Sequence, residues 1–189
     1  VSLLTETELL NTIAFRGLQI SLVLVFIYFV VTAKGQRVVR IYDKRFEIKT
    51  EQEQCFVSFW ITFFCLFIHI LIDEQVSNTI IAADLDYLLR RKIFYFLKLS
   101  CTLVFIVSIY AVHLLRRCPY SPATRVVFYI SIPVASIFFV QLILRGYLEI
   151  EALVPLYHWL AIVQCFVLSV FVLSYPVKEI YQSYRKKLM

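Results

Sequence analysis

Residues 55–72 read CFVSFWITFFCLFIHILI, an apolar run interrupted only by Ser58, Thr62 and His69. It does not alternate polar with apolar, so it is not a strand of a half-solvated sheet. A hydrocarbon core of roughly 30 Å needs about 20 apolar residues in a helix, and this run is close to that length. Four more stretches of the same kind lie at 14–33, 93–115, 126–144 and 153–175. Lipid offers no partner to an exposed backbone, so only helices and closed barrels cross it, and continuous runs point to helices. The sequence therefore predicts an all-α polytopic membrane bundle of about five spans, or four if one stretch does not cross.

Composition supports this class. Hydrophobic residues make up 61% of the 189-residue chain and charged residues 17%. Soluble domains carry roughly 45–50% and about 25%. The longest stretch between spans, 34–54, is shorter than the roughly 40 residues that fold unaided. No soluble enzyme domain is expected within it, and a partner would have to supply one. The net charge of +6 reflects Lys and Arg flanking the spans, where they set topology, so direct nucleic-acid binding is not expected. Glu6 and Glu8 stand where a secretory signal carries positive charge, so the first stretch reads as a span and not a cleaved leader. Cys55, Cys65, Cys101, Cys118 and Cys165 show no CxxC spacing and read as small apolar residues.

The charges fix an expected orientation. Lys34, Arg37, Arg40, Lys44, Arg45 and Lys49 follow the first span. Arg116, Arg117 and Arg125 join the third to the fourth, and Lys178, Arg185, Lys186 and Lys187 follow the fifth. These segments hold 13 of the 19 Lys and Arg. The positive-inside rule assigns them to the cytoplasm, with the N-terminus outside and the C-terminus inside. The opposite face holds Glu6, Glu8, Asp73, Glu74, Asp84, Asp86, Glu149 and Glu151; Arg90, Arg91 and Lys92 run against the rule there.

Local signals place the helix ends. Thr5-Glu6-Thr7-Glu8 has the form of a capping box and starts the first helix near residue 6; Thr50-Glu51-Gln52-Glu53 repeats it before the second span. Ser121-Pro122 opens the fourth span after a tight turn at 116–121, making spans three and four a hairpin. Pro133 is expected to kink span four. Residues 84–92 extend span three outward on a stripe of Leu85, Leu88 and Leu89. The loop at 36–50 fits a strand or a helix equally well. Two units are expected: a bundle over 1–176, and a basic amphipathic tail over 177–189 suited to the inner leaflet or to a partner groove.

The polar residues within the spans share one depth. Arg16, Gln19, His69, Lys98, Gln141, Arg145 and His158 all fall in roughly the outer third of the membrane at about 1.5 Å per residue. The inner half is aliphatic and aromatic, with His113 its one ionisable side chain. Either the long cations snorkel to the headgroups, or the seven line an outward vestibule over an apolar plug, with Asp73 or Glu149 pairing with Lys98. Gln19 and Gln141 favour the vestibule, because a short neutral side chain has nowhere to snorkel.

No HExxH, GxSxG, phosphate-binding glycine loop or paired metal-ligand spacing occurs. His69 and His158 read as packing residues, no cofactor is expected, and the chain is not expected to be an enzyme. Gly17 with Ser21 is the nearest approach to a small-xxx-small helix contact. In plan, the chain is similar to the small multipass membrane subunits of bacterial anti-phage defence systems, such as the membrane component of Kiwa. The likeness lies in small size, the lack of catalytic residues, and basic cytoplasmic segments such as 37–49 and 185–187; it departs in having five spans against the four of that component. It implies a homo-oligomer in the bacterial inner membrane that senses a signal outside and engages a cytosolic partner through Arg37, Arg40, Lys44, Arg45, Lys49, Arg185, Lys186 and Lys187. The alternative is an ion or solute channel or transporter formed by the oligomer.

Overall fold

The computed structural model describes residues 2–32, 48 and 50–188. All five expected spans are helices: α1 (Ser2–Thr32), α2 (Glu51–Ala82), α3 (Tyr87–Arg116), α4 (Pro122–Gln141) and α5 (Val154–Leu188). Each is long and apolar enough to cross a membrane. No strand occurs among the described residues. The expected partner contacts Arg37, Arg40, Lys44, Arg45 and Lys49 lie outside the described residues, as does most of the ambiguous 36–50 loop. So do the side chains of Lys186 and Lys187; Arg185 is exposed on α5.

Helix α1 packs chiefly along α5. The chains of α2, α3 and α4 follow as antiparallel neighbours joined by short turns, and α5 returns beside α1 and parallel to it. The bundle's upper end carries the turns at 83–86 and 148–153, and its lower end the turn at 117–121.

Helix ends mostly obey the expected chemistry. The Thr50 hydroxyl accepts from the Glu53 N–H at 3.2 Å, and the Glu53 carboxylate accepts from the Thr50 N–H at 3.3 Å, a complete capping box. Ser121 Oγ accepts from the Thr124 N–H, with Pro122 at the first helical position. Arg117 takes the left-handed conformation (φ 54°) that ends α3, and its N–H returns to the last carbonyls. Cys118 in this turn is buried, which pushes its thiol up to about 11 and leaves it unreactive. All five cysteines are free.

Four expectations need correction. Helix α1 already runs from Ser2, so Thr5 lies in its first turn; nothing between Ser2 and Glu6 breaks a helix. Helix α2 continues ten residues past Ile72, because 73–82 holds neither Gly nor Pro, and this carries Asp73 and Glu74 from the expected loop into the bundle. Helix α3 starts at Tyr87, not in the 84–92 stretch as a whole: Asp86 caps it, accepting from the Leu88 N–H at 3.1 Å. Helix α5 runs through Pro176 without a break, so the expected boundary at 176/177 falls inside one 35-residue helix. Phe171 O, near the carbonyl the proline leaves unpaired, accepts from Ser174 Oγ at 2.6 Å. Helix α4 likewise continues through Pro133.

The lower and middle bundle is dense. Leu18, Leu22 and Val25 of α1, Trp60, Phe63 and Leu66 of α2, and Leu168 and Val172 of α5 are buried in one apolar cluster. Phe29 lies 4.4 Å from Trp60 between ring centroids, and Phe59 stacks on Tyr175 at 4.8 Å. Lipid is as apolar as these side chains, so their association rests on close packing and dispersion, not on escape from water. Among the described residues nothing lies within 4 Å of where a Gly17 side chain would begin, so the small face expected at Gly17–Ser21 is not closed there by another helix.

The basic residues against the charge rule have structural partners. The Arg90 guanidinium donates to Ala83 O and Leu85 O, satisfying the end of α2. Arg91 pairs with Glu151 at 2.5 Å, and Lys92 lies over the Tyr147 ring at 4.7 Å.

Thr50→Ala removes the capping box at the start of α2, whose reciprocal bonds are both made. It should lower unfolding stability by about 1 kcal/mol, measured by denaturation in detergent, while Thr50→Ser should stay within a few tenths of that figure of the parent.

Candidate functional site

A cavity of about 320 Å³ opens into the upper half of the bundle between α1, α2, α3 and α5, with Phe138 of α4 at its back. Its mouth carries Asn11, Thr12 and Arg16 of α1 opposite Glu74, Ser77 and Asn78 of α2. Deeper lie His69, Asp73, Lys98, Thr102 and Gln164. Aromatic wall comes from Phe15, Phe94 and Tyr157.

Lys98 Nζ donates to Asp73 Oδ2 at 2.5 Å, each side chain 13% exposed. The pair joins α3 to α2. Of the two acids expected for Lys98, the structure selects Asp73, because α2 extends far enough to bring it to the depth of Lys98. Above it, Arg16 donates to Glu74 at 3.0 Å and to Gln19 Oε1 at 2.7 Å, and Gln19 Nε2 donates to the other Glu74 oxygen at 2.6 Å. This triad ties α1 to α2. His69 stacks on Phe105 with centroids 4.6 Å apart.

The seven residues expected to share one vestibule divide. Arg16, His69 and Lys98 line the cavity, and Gln19 holds its rim. Gln141, Arg145 and His158 do not line it. Gln141 is fully buried and its Nε2 donates to Leu153 O at 2.8 Å, pinning the end of α4 to the start of α5; its Oε1 is buried without a hydrogen-bond partner among the described residues. Arg145 sits on a π-helical turn, Leu142–Tyr147, that follows α4. It donates to the Tyr95 hydroxyl at 2.6 Å and to Glu151 at 3.2 Å. With Arg91 on the same Glu151 oxygen, it forms a clasp over the α4–α5 turn, separate from the cavity. His158 packs edge-on against Tyr157.

A second polar cluster lies near the lower end. Nδ1 of His113 donates to Ile109 O at 2.8 Å, which leaves Nε2 to accept from the Ser58 hydroxyl at 3.0 Å. Ser58 Oγ in turn accepts from the Ser121 N–H at 2.9 Å and meets Thr124 Oγ1 at 2.9 Å. Thr62 donates to Ser58 O at 2.9 Å. All five side chains are buried. Serine beside a histidine base is a nucleophile's geometry, but here the serine is sealed within the bundle, so the arrangement locks the α3–α4 hairpin onto α2.

Sequence reasoning missed Glu74 as a site member, and offered Asp73 only as one of two partners for Lys98, because it ended span two at Ile72. The signal was present: Ile70, Asp73, Ser77 and Ile80 keep helical spacing on one face. The Ser58, Thr62 and Thr124 hydroxyls carried no signal, since such residues are scattered through apolar spans. Comparison with known protein families, curated proteins and solved structures found no match to this chain.

Two outcomes follow. Lys98→Leu leaves Asp73 charged against a low-dielectric wall and should cost about 2 kcal/mol. That is below the roughly 3–5 kcal/mol of a fully buried pair, because both side chains keep some exposure. Lys98→Leu combined with Asp73→Leu should recover most of that loss, as read from thermal denaturation in detergent. At the clasp, Arg91 and Arg145 hold the Glu151 carboxyl below the usual carboxylate range. Its contribution to stability is therefore complete above the ordinary value of 4.5 and is lost as pH falls through its lower folded value. Glu151→Gln should flatten the acid limb of the melting temperature against pH and leave the neutral limb parallel to the parent.

Proposed function

We propose that this chain is a non-enzymatic integral membrane subunit that detects a small molecule in its upper cavity and relays the event to a cytosolic partner. The observation that carries this reading is the cavity itself: polar groups converge at one end of the bundle, over a lower half that is packed shut. A transporter's site lies near the midplane, on broken helices. Here the helices beneath the cavity are continuous, and Trp60, Phe63 and Phe59 close the path. This favours a receptor over a pore through one protomer.

The upper end faces outward in this reading. The positive-inside bias supports that orientation. It is also supported by the structural roles of Arg90 and Arg91, which remove the main objection to it. Helix α1 supplies the route of transmission. Its upper half meets α2 through Arg16, Gln19 and Glu74, at the cavity mouth. Its lower half meets α5 through Tyr28, whose hydroxyl donates to Glu179 at 3.0 Å. A ligand that separates α1 from α2 above shifts the basic segment 34–49 that follows α1, and the α5 tail with it. In this reading the partner docks on Arg37, Arg40, Lys44, Arg45, Lys49 and the Arg185–Lys187 run. The protein acts as a homo-oligomer in a bacterial inner membrane, within an anti-phage defence system.

The test combines sidedness with partner capture. In a cysteine-free background, Ala152→Cys should react with an impermeant thiol reagent from outside intact cells and Lys187→Cys should not. Reversing Arg37, Arg40 and Arg45 to Glu should release a stoichiometric cytosolic protein that co-purifies with the parent, with the membrane protein still assembled. Labelling of Lys187→Cys from outside, or conductance by the pure protein in planar bilayers without any partner, overturns the reading.

A further inference from the structure

We infer that the upper cavity is built for a zwitterion, a molecule with one ammonium-type cation, one anionic group and a short apolar segment. The inference rests on the receptor reading above and names its ligand class. The charged side chains lining the cavity are Arg16, Lys98, Asp73 and Glu74, two of each sign, and they are already paired with one another. The deeper pair is the telling one. Lys98 and Asp73 lie on facing helices with only 13% of each side chain exposed, and both line the cavity.

A ligand bearing one charge would take one member of this pair and strand the other against an apolar wall, which is strongly unfavourable. A zwitterion inserted between them replaces one ion pair by two. Its cation takes Asp73, its anion takes Lys98, and no charge is left over. The pair thus acts as a placeholder for a ligand of its own charge pattern, and its opening moves α2 against α3.

Size and wall chemistry narrow the class. At roughly 30 Å³ per water, about 320 Å³ holds about ten waters. That suits a free amino acid or the headgroup of an ethanolamine lipid, and is too small for a folded peptide. Phe94, whose ring lies 5.6 Å from Lys98 Nζ, and Phe138 and Tyr157 behind it give the apolar segment a surface. Gln164 and Asn78 supply neutral hydrogen bonds that do not disturb the charge balance. The same chemistry reaches the cavity from two sources: a dissolved amino acid, or a zwitterionic headgroup from the surrounding leaflet.

Calorimetric titration of the full chain in detergent separates these cases. The probes are phenylalanine, with phenethylamine and 3-phenylpropanoate as its single-charge analogues, and glycerophosphoethanolamine for the lipid source. At least one zwitterion should bind saturably, at least tenfold more tightly than either single-charge analogue. That binding should fall at least tenfold in the Lys98→Leu, Asp73→Leu double variant. Lys98→Gln with Asp73→Asn, which keeps polarity without charge, should show the same loss and serves if the leucine variant does not fold. Preference for phenylalanine identifies a dissolved ligand. Preference for glycerophosphoethanolamine, with an ethanolamine lipid retained by the parent but not by the variants in native mass spectrometry, identifies a headgroup. If the single-charge analogues bind the parent as tightly as the zwitterions and the variants bind nothing, the zwitterion assignment falls while the receptor reading stands. If no probe binds the folded parent, or the variants bind as well as it does, both fall.

Discussion

The ion pair between Lys98 of α3 and Asp73 of α2 is the contact on which the upper half of this bundle depends. An isolated ammonium or carboxylate at that depth is costly, and each residue offsets the cost of the other. Together, at 2.5 Å, they let two facing helices carry charge within the bundle. The other upper features are arranged around that pair. The Arg16–Gln19–Glu74 triad brings α1 to the same level, and the Arg145 clasp holds the α4–α5 turn beside it.

The lower half solves the same problem differently. It holds a neutral network: Ser58, Thr62, Ser121, Thr124 and His113 share hydrogen bonds in which each assigned proton has an acceptor. A neutral network of this kind resists rearrangement, since breaking any one bond leaves a buried polar group unpaired. An ion pair beside a cavity has alternatives, because another charged group can replace either partner. The two ends of one bundle thus differ in kind, with ion pairs beside a cavity above and a neutral buried network below, and α1 and α5 run past both.

Much of this was legible in the sequence, and the limits were physical. Spans, caps and the α3–α4 hairpin followed from apolar length and from Thr50, Ser121 and Pro122, all of which act locally. The polar layer was visible as a common depth of Arg16, His69 and Lys98. Its division into a cavity and a separate clasp was not visible, because rotation about a helix axis decides which neighbours Arg145 and Gln141 meet, and depth alone carries no such information. Asp73 was misplaced because hydropathy, which ended span two at Ile72, stops at the first charges while the helix does not. The expected boundary at 176/177 fell inside a helix, because a proline in the sequence does not by itself end one.

The central claim is that water reaches the cavity from one end only and stops above the lower network. Cysteine accessibility in a cysteine-free background measures this directly, with a small charged thiol reagent applied to the purified protein in proteoliposomes. Ser77→Cys, at the cavity mouth, should react within minutes from one side of the membrane. Ser58→Cys, in the buried network, should stay unreactive from both sides. Reaction at both positions would mean a continuous aqueous path through the protomer, and reaction at neither would mean that the cavity is closed to water; either result contradicts the account.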